Sequence, residues 1–341
     1  MARELLDSVG RTPLVNLRPF NDHLFAKEEF RNPAGSLKWR PAVFMVCRAI
    51  LRGEFDPSAQ TDVEASAGQM ALARGLLSRK LGYRFEAVIW KHTSPGTKEA
   101  LRKVAADVIE SEEECPTIFV DRKSGELIRV ERDRSEHYQS NPDFIEATKT
   151  DQAIGIVERL VEGERGRYFW PNQYASEDNF AAHFETTGPE IEKQMGARPD
   201  FAVIGVGTGG SLGWGAYLKQ KYPEMRVIAV TPKDRDHFAQ GLRNLKASMV
   251  PALVRRHQDV VDEWVEVSND EIAEGAGRLL RAGFDAGPSS WAAGRVADGY
   301  QKKHGGKGVL LFGDGKERYK ELVERVLHGK MVESGPLAGG G

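Results

Sequence analysis

Two stretches of the chain carry residue types suited to phosphate and carbonyl chemistry. In Gly205–Val206–Gly207–Thr208–Gly209–Gly210–Ser211 the glycines at 205, 207 and 210 follow an apolar run and precede a helical pattern. Glycines at such a turn let an anion approach backbone N–H groups at a helix N-terminus. The same spacing fits a dinucleotide site, which wants an acid at the end of the next strand; here that strand ends Val230–Thr231–Pro232 and the nearest acid is Asp234. Thr208 and Ser211 add hydroxyls, a composition better suited to surrounding one phosphate monoester. A tight turn with no ligand is the plain alternative. The second stretch is Asn32–Pro33–Ala34–Gly35–Ser36–Leu37, which places Lys38 at an apolar helix start. Alone it reads as a solvated lysine; an amine that works there forms a Schiff base.

These residues need strands and helices to hold them. Leu24–Phe25–Ala26 reads as a short strand, and apolar periodicity from Leu37 through Ile50 predicts a helix capped by Ser36. Asp62–Val63–Glu64–Ala65 leads through Ser66–Ala67–Gly68–Gln69 into a helix from Met70 to Lys80, and Arg84 to Trp90 has a strand's composition. The clearest unit is a strand at Phe201–Gly205, the glycine turn, a helix to about Lys221 and a strand from Arg226 to Val230. That is a βαβ crossover, so a parallel sheet of an α/β fold is expected. Pro116–Val120 and Glu126–Val130 flank the turn-like Asp121–Gly125 and predict a β-hairpin, with Glu131 to Arg134 a solvated strand end or loop in preference to a binding surface.

The 341 residues suffice for two packed domains or one large α/β unit. Lys plus Arg (48) against Asp plus Glu (50) gives a net charge of −2, which argues against nucleic acid or a membrane surface as partner. Any phosphate binding must therefore be local. Cys47 and Cys115 are too few for a disulfide scaffold or a four-thiolate metal site, so no metal is expected and the cytoplasm is the expected compartment. One bridge between them remains formally open. No run approaches the ~18 apolar residues of a spanning helix.

An amine for an aldehyde and an anion cup are the two groups that pyridoxal 5'-phosphate requires. Further segments appear in order along nearly the whole chain: Val9–Val15, Lys27–Glu28, Asn32–Arg40, Gln173–Tyr174, His183 with Thr186–Ile191, Gly207–Ser211, Gly287–Ser290 and Glu317–Tyr319. Together they resemble the cysteine synthase and cystathionine β-synthase family of fold-type II pyridoxal phosphate enzymes. The resemblance implies two open, twisted, mostly parallel sheets flanked by helices. It implies a larger cofactor-binding domain from 1–35 and 150–330, a smaller mobile domain at 36–149, a flexible tail at 331–341, and a homodimer. Lys38 is implied to hold the cofactor and shuttle protons, and Gly207, Thr208, Gly209, Gly210 and Ser211 to bind its phosphate. Ser289, with Ser290 second, is implied to meet the pyridine nitrogen, although a helix N-cap would explain these serines as well. Gln173 is implied to bind the substrate carboxylate. The implied reaction is β-replacement on O-phosphoserine or O-acetylserine through an aminoacrylate, with a small nucleophile such as sulfide.

One loop departs from the family. Where Thr-Ser-Gly-Asn-Thr is usual, this chain has Ser66–Ala67–Gly68–Gln69–Met70, which removes two hydroxyls and lengthens the amide by one methylene. Gln69 is left to reach the cofactor's 3-oxygen, and Ser66, Ala67 and Gly68 to hold the substrate largely through backbone amides. Trp39 and Trp291 replace smaller residues and either narrow the pocket or fill the core. Lys233 aligns with the basic residue that receives the substrate phosphate in the O-phosphoserine branch, with a solvated loop charge the alternative, on a loop that also carries Arg235, His237 and Arg243. The altered loop also suggests a specialised β-eliminase or β-replacement with a non-sulfide nucleophile. The nonenzyme rival is a cofactor-binding scaffold without turnover that serves a partner, which the presence of Lys38, the glycine cup and Ser289 disfavours.

Overall fold

The computed structural model describes residues 1–91, 93, 95–110, 118–130 and 135–328. With strands numbered along the chain, the largest sheet has the order β1 (Leu14–Asn16), β2 (Leu24–Glu28), β13 (Gly308–Phe312), β10 (Phe201–Gly205), β11 (Arg226–Pro232), β12 (Glu263–Val267). Every neighbouring pair from β2 to β12 is parallel, and only the edge strand β1 is antiparallel. A second, wholly parallel sheet has the order β5 (Asp107–Glu110), β4 (Phe85–Ile89), β3 (Thr61–Ala65), β9 (Tyr168–Phe169). These are the two sheets the sequence implied. A third, antiparallel sheet is added by β7 (Leu127–Arg129), β6 (Ile118–Asp121) and β8 (Phe144–Glu146). Its β6–β7 pair is the expected hairpin, whereas the three residues of β8 are too few for alternation to reveal.

Burial on both faces explains the continuous apolar runs of β10 and β11. Phe201, Val203, Ile228 and Val230 pack with Trp291 and Leu279 from helices Pro288–His304 and Asn269–Arg281. Ala202, Ile204, Val227 and Ala229, one residue out of phase, face Trp214 and Leu218 of helix Leu212–Lys221. In the second sheet Val63 and Ala65 meet Ile154 and Val157 of helix Lys149–Gly163, while Phe85 and Ala87 meet helices Trp39–Arg52 and Gln69–Leu81. Thr148 and Ser268 each close a capping box at a helix start, which satisfies amide donors that would otherwise lack partners.

Several local expectations are corrected. Helix Trp39–Arg52 begins after Lys38, and Ser36 does not cap it. Ser36 instead forms an antiparallel bridge with Asp314, and Leu37 N–H donates to Gly313 O at 2.7 Å. The extended pairing delays the helix by two residues. Helix Lys149–Gly163 and β9, expected in the larger domain, pack on or pair with β3 of the smaller sheet. Leu5 and Val9, near the chain start, likewise join the core around helix Trp39–Arg52. Trp39 and Trp291 are both buried among core side chains, and the Trp291 indole donates to Ala286 O at 2.6 Å. Core filling is thus their role. Cys47 is a buried free thiol. Cys115, Pro116–Thr117, the charged stretch Glu131–Arg134 and the tail lie outside the described residues. Among the described residues no helix is long and apolar enough to cross a membrane.

Candidate active site

The glycine turn runs from the end of β10 to the ten-residue helix Leu212–Lys221. None of the N–H groups from Gly207 to Ser211 donates to a described residue. Consecutive unpaired donors at a helix N-terminus form an anion nest. Gly209 has φ +94°, a conformation that L side chains rarely adopt. Close approach sets the other two glycines: a Cβ at Gly207 would lie 2.1 Å from Gly241 O, and one at Gly210 2.0 Å from Asn179 Oδ1. The Ser211 hydroxyl donates to Gly205 O at 2.9 Å, so it closes the turn instead of pointing into the nest as expected.

Lys38 lies across the cleft from this turn. Its Nζ donates to Thr208 Oγ1 at 3.4 Å, and Asn179 Nδ2 donates to the same oxygen at 3.0 Å. Thr208 Oγ1 accepts both bonds, which leaves its own proton to donate elsewhere. Burial lowers the Lys38 pKa to about 8, with Glu64 pulling it up and Arg243 pushing it further down. The start of the following helix is fixed by Arg40, a fully buried guanidinium. Arg40 donates to Glu29 Oε2 at 2.7 Å, to Glu190 Oε1 at 2.8 Å and to Thr186 Oγ1 at 2.9 Å. Lys27 also pairs with Glu190, at 2.7 Å. Burial pushes the Glu190 carboxyl up, but the Arg40 hydrogen bond and charge prevail and draw it down to about 2.

The remaining candidates divide into those gathered at this cleft and those elsewhere. Gln173 is buried; its Nε2 donates to Glu64 Oε1 at 3.4 Å and its backbone oxygen accepts from Asn179 Nδ2 at 2.7 Å. Gln69 Nε2 donates to Asp314 Oδ2 at 3.1 Å, and the Tyr319 hydroxyl donates to the same oxygen at 2.5 Å. Burial raises the Asp314 pKa to about 6. Ser66 Oγ accepts from Gly68 N–H at 3.1 Å, which shapes the loop before helix Gln69–Leu81. Ser289 and Ser290 are the second and third residues of helix Pro288–His304, whose N-cap is Gly287, so neither serine caps it. Ser290 is engaged by the Gly313 N–H at 3.2 Å, whereas the Ser289 hydroxyl has no bond of that kind and lies against Gly313. Lys233 is exposed just after β11; its backbone is paired, and its side chain bonds no described residue. On the same loop Arg243 turns inward, paired with Asp151 at 2.5 Å and stacked over the Tyr174 ring. Asp234, the acid a dinucleotide reading needs, accepts from Asn269 N–H at 2.8 Å.

Sequence reasoning missed Asn179, Asp314 and Glu64. Asn179 and Asp314 each lie on a segment adjoining a quoted motif but carry no spacing signal of their own. Glu64 left none either: Asp62–Val63–Glu64–Ala65 alternates polar and apolar residues, and only the fold shows that all five residues of β3 are buried.

The residues present fit pyridoxal 5'-phosphate. The nest supplies unpaired donors for a phosphate, Lys38 supplies a buried amine of lowered pKa, and Gln69 Oε1 and Asp314 Oδ1 are buried without hydrogen-bond partners. Comparison with known proteins agrees. Residues 5–313 match the family model described as "Pyridoxal-phosphate dependent enzyme". The chain belongs to that family of enzymes. It is 32% identical over 303 residues to N-(2-amino-2-carboxyethyl)-L-glutamate synthase of Ralstonia nicotianae, covering 86% of this chain and 80% of the relative. It is 29% identical to cysteine synthase of Aquifex aeolicus, covering 93% and 91% respectively. A solved structure of a hydrogen sulfide-producing enzyme from Fusobacterium nucleatum superposes with a TM-score of 0.74 at 25% identity, covering 94% of this chain and all of that one.

Proposed function

We propose that the chain catalyses β-replacement on an activated serine, O-phosphoserine or O-acetylserine, with pyridoxal 5'-phosphate held by the nest and Lys38. The observation that carries the reading is the Lys38 amine bonded to Thr208 within a run of unpaired N–H donors. When bound, the cofactor supplies an electron sink for the bond broken at the substrate α-carbon. The N–H groups of Gly207 to Ser211 and the Thr208 hydroxyl hold its phosphate. Ser289 offers a neutral hydroxyl to the pyridine nitrogen, which favours elimination at Cβ over deeper charge delocalisation. With a pKa of about 8, a useful fraction of Lys38 is unprotonated near neutral pH and can take the α-proton. Gln173 and the backbone of Ser66–Gly68 would bind the substrate carboxylate, and Gln69 Nε2, one of whose N–H groups goes to Asp314, would have the other for the cofactor's 3-oxygen.

The domain division is part of this proposal, with the expected boundary at 149/150 moved to 169/170 because β9 pairs with β3: 1–35 with 170–330 as the larger body and 36–169 as the mobile one. So are a cytoplasmic location and a homodimer. A second reading, replacement by an amine, is favoured by the first relative, whose name describes an alanine-type β-carbon joined to the nitrogen of glutamate. The loss of two hydroxyls at Ala67 and Met70 is consistent with either nucleophile. The test is to offer O-phosphoserine, O-acetylserine, serine and threonine with sulfide or L-glutamate and identify products by mass spectrometry. Replacement products from an activated serine support the proposal, and the nucleophile consumed chooses between the readings. Cofactor binding without any product supports the scaffold.

A further inference from the structure

We infer that Glu64 is a positioning residue that aims the Gln173 carboxamide into the site; the inference rests on the substrate-binding role proposed for Gln173. β3 carries Asp62 and Glu64 in a strand buried along its whole length, and neither side chain reaches solvent. The two-residue period places both acids on one face. There they meet Arg74 of helix Gln69–Leu81, which is also fully buried. Arg74 Nε donates to Asp62 Oδ2 at 2.7 Å, its Nη2 also pairs with Asp62, and its Nη1 donates to Glu64 Oε2 at 3.0 Å. Asp62 alone would neutralise Arg74. Glu64 is the additional charge, and a buried charge that stability does not require is costly unless it serves another purpose.

That purpose is visible at its other oxygen. Glu64 Oε1 accepts a long hydrogen bond, 3.4 Å, from Gln173 Nε2. Burial raises the Glu64 pKa to about 8, but the Arg74 guanidinium on Oε2 favours the carboxylate, which only accepts and so dictates that the nitrogen end of the carboxamide faces Oε1. One N–H of Gln173 is thereby engaged, and the second is left for a carboxylate ligand. The Gln173 backbone is held separately, since Asn179 Nδ2 bonds both Gln173 O and Thr208 Oγ1. Glu64 therefore fixes the one part of Gln173 that its backbone contacts leave free. The Glu64 carboxylate also favours the charged form of Lys38.

The test uses the holoenzyme and two readouts: the dissociation constant for L-serine, from the change in the cofactor's visible absorbance, and KM against kcat for the activated serine. Glu64→Gln keeps its oxygen toward the Arg74 donor and so turns its NH2 toward Gln173, which makes the Gln173 carboxamide turn over. Both the dissociation constant and KM should rise about tenfold while kcat stays within about threefold, the pattern of lost ground-state binding. Gln173→Ala should raise the same constants, and the double variant should be no worse than Gln173→Ala alone, because the two residues act as one unit. Glu64→Asp keeps the charge beside Arg74 but draws it back from Gln173, and should show the same rise; it replaces Glu64→Gln in the cycle if that variant does not fold. Wild-type constants in a folded Glu64 variant, or effects that multiply in the double variant, would overturn the inference. Failure of Gln173→Ala alone to raise them would instead remove the substrate-binding role on which it rests.

Discussion

Gly209→Ala is the sharpest probe of the anion nest, and Gly53→Ala is its control. Both glycines have positive φ, +94° and +73°. A Cβ at either therefore strains the backbone by about 1–2 kcal/mol. The surroundings differ: at Gly53 nothing lies within 4 Å, whereas at Gly209 the Cβ would sit 2.9 Å from Leu253 Cβ and from Val254 N. Relief of that contact has to shift the turn, and a shifted turn misaims its N–H groups. Each hydrogen bond to a charged phosphate contributes about 1.5–3 kcal/mol. Misaiming two of them removes about 3–6 kcal/mol, a 10²- to 10⁴-fold weakening on the order-of-magnitude scale. The assay is titration of the cofactor-free protein with pyridoxal 5'-phosphate, with urea unfolding of the same samples. Both variants should lose the stability that the backbone strain costs, Gly209→Ala more because of its contacts, and only Gly209→Ala should lose affinity. Affinity within about threefold of wild type in Gly209→Ala, or an equal loss in Gly53→Ala, would refute the reasoning.

Lys38 in the cofactor-free protein should acylate with a half-maximal rate near pH 8, because burial lowers its pKa and only the unprotonated amine reacts; half-maximal reaction near 10.5 would contradict this. Arg40→Met should destabilise the fold by roughly 3–5 kcal/mol, since it leaves Glu29 buried and uncompensated. Because Arg40 holds the Glu190 pKa down at about 2, that share of the wild-type advantage is complete above about pH 4.5 and shrinks as pH falls toward 2, which denaturant melts across that range will read. Lys233→Ala should erase a preference for O-phosphoserine over O-acetylserine while sparing the O-acetylserine rate; an unchanged ratio of kcat/KM values would assign the phosphate role elsewhere.

What could be read in advance depended on how local the cause was. The strand, turn and helix around Gly207–Ser211 were legible because apolar runs and glycine spacing are local signals, and the nest followed from them. Ser36 misled because its bridge partner, Asp314, is distant in sequence, so the capping rule was overridden by tertiary pairing. Lys233 and Arg243 share a loop, and only the fold shows that Arg243 is the one turned inward, drawn by Asp151. Ser211 had the right residue type, but its hydroxyl is spent on Gly205 O. Glu64 was not legible, because its partners Arg74 and Gln173 are not its sequence neighbours and the burial of its strand is set by the fold.

The central claim is that Lys38 is the amine that engages pyridoxal 5'-phosphate. Reducing the holoenzyme with borohydride and mapping the modified peptide by mass spectrometry tests it most directly. The account predicts a single phosphopyridoxyl adduct on Lys38, absent in Lys38→Ala. An adduct on another lysine, with Lys38 unmodified, would contradict it.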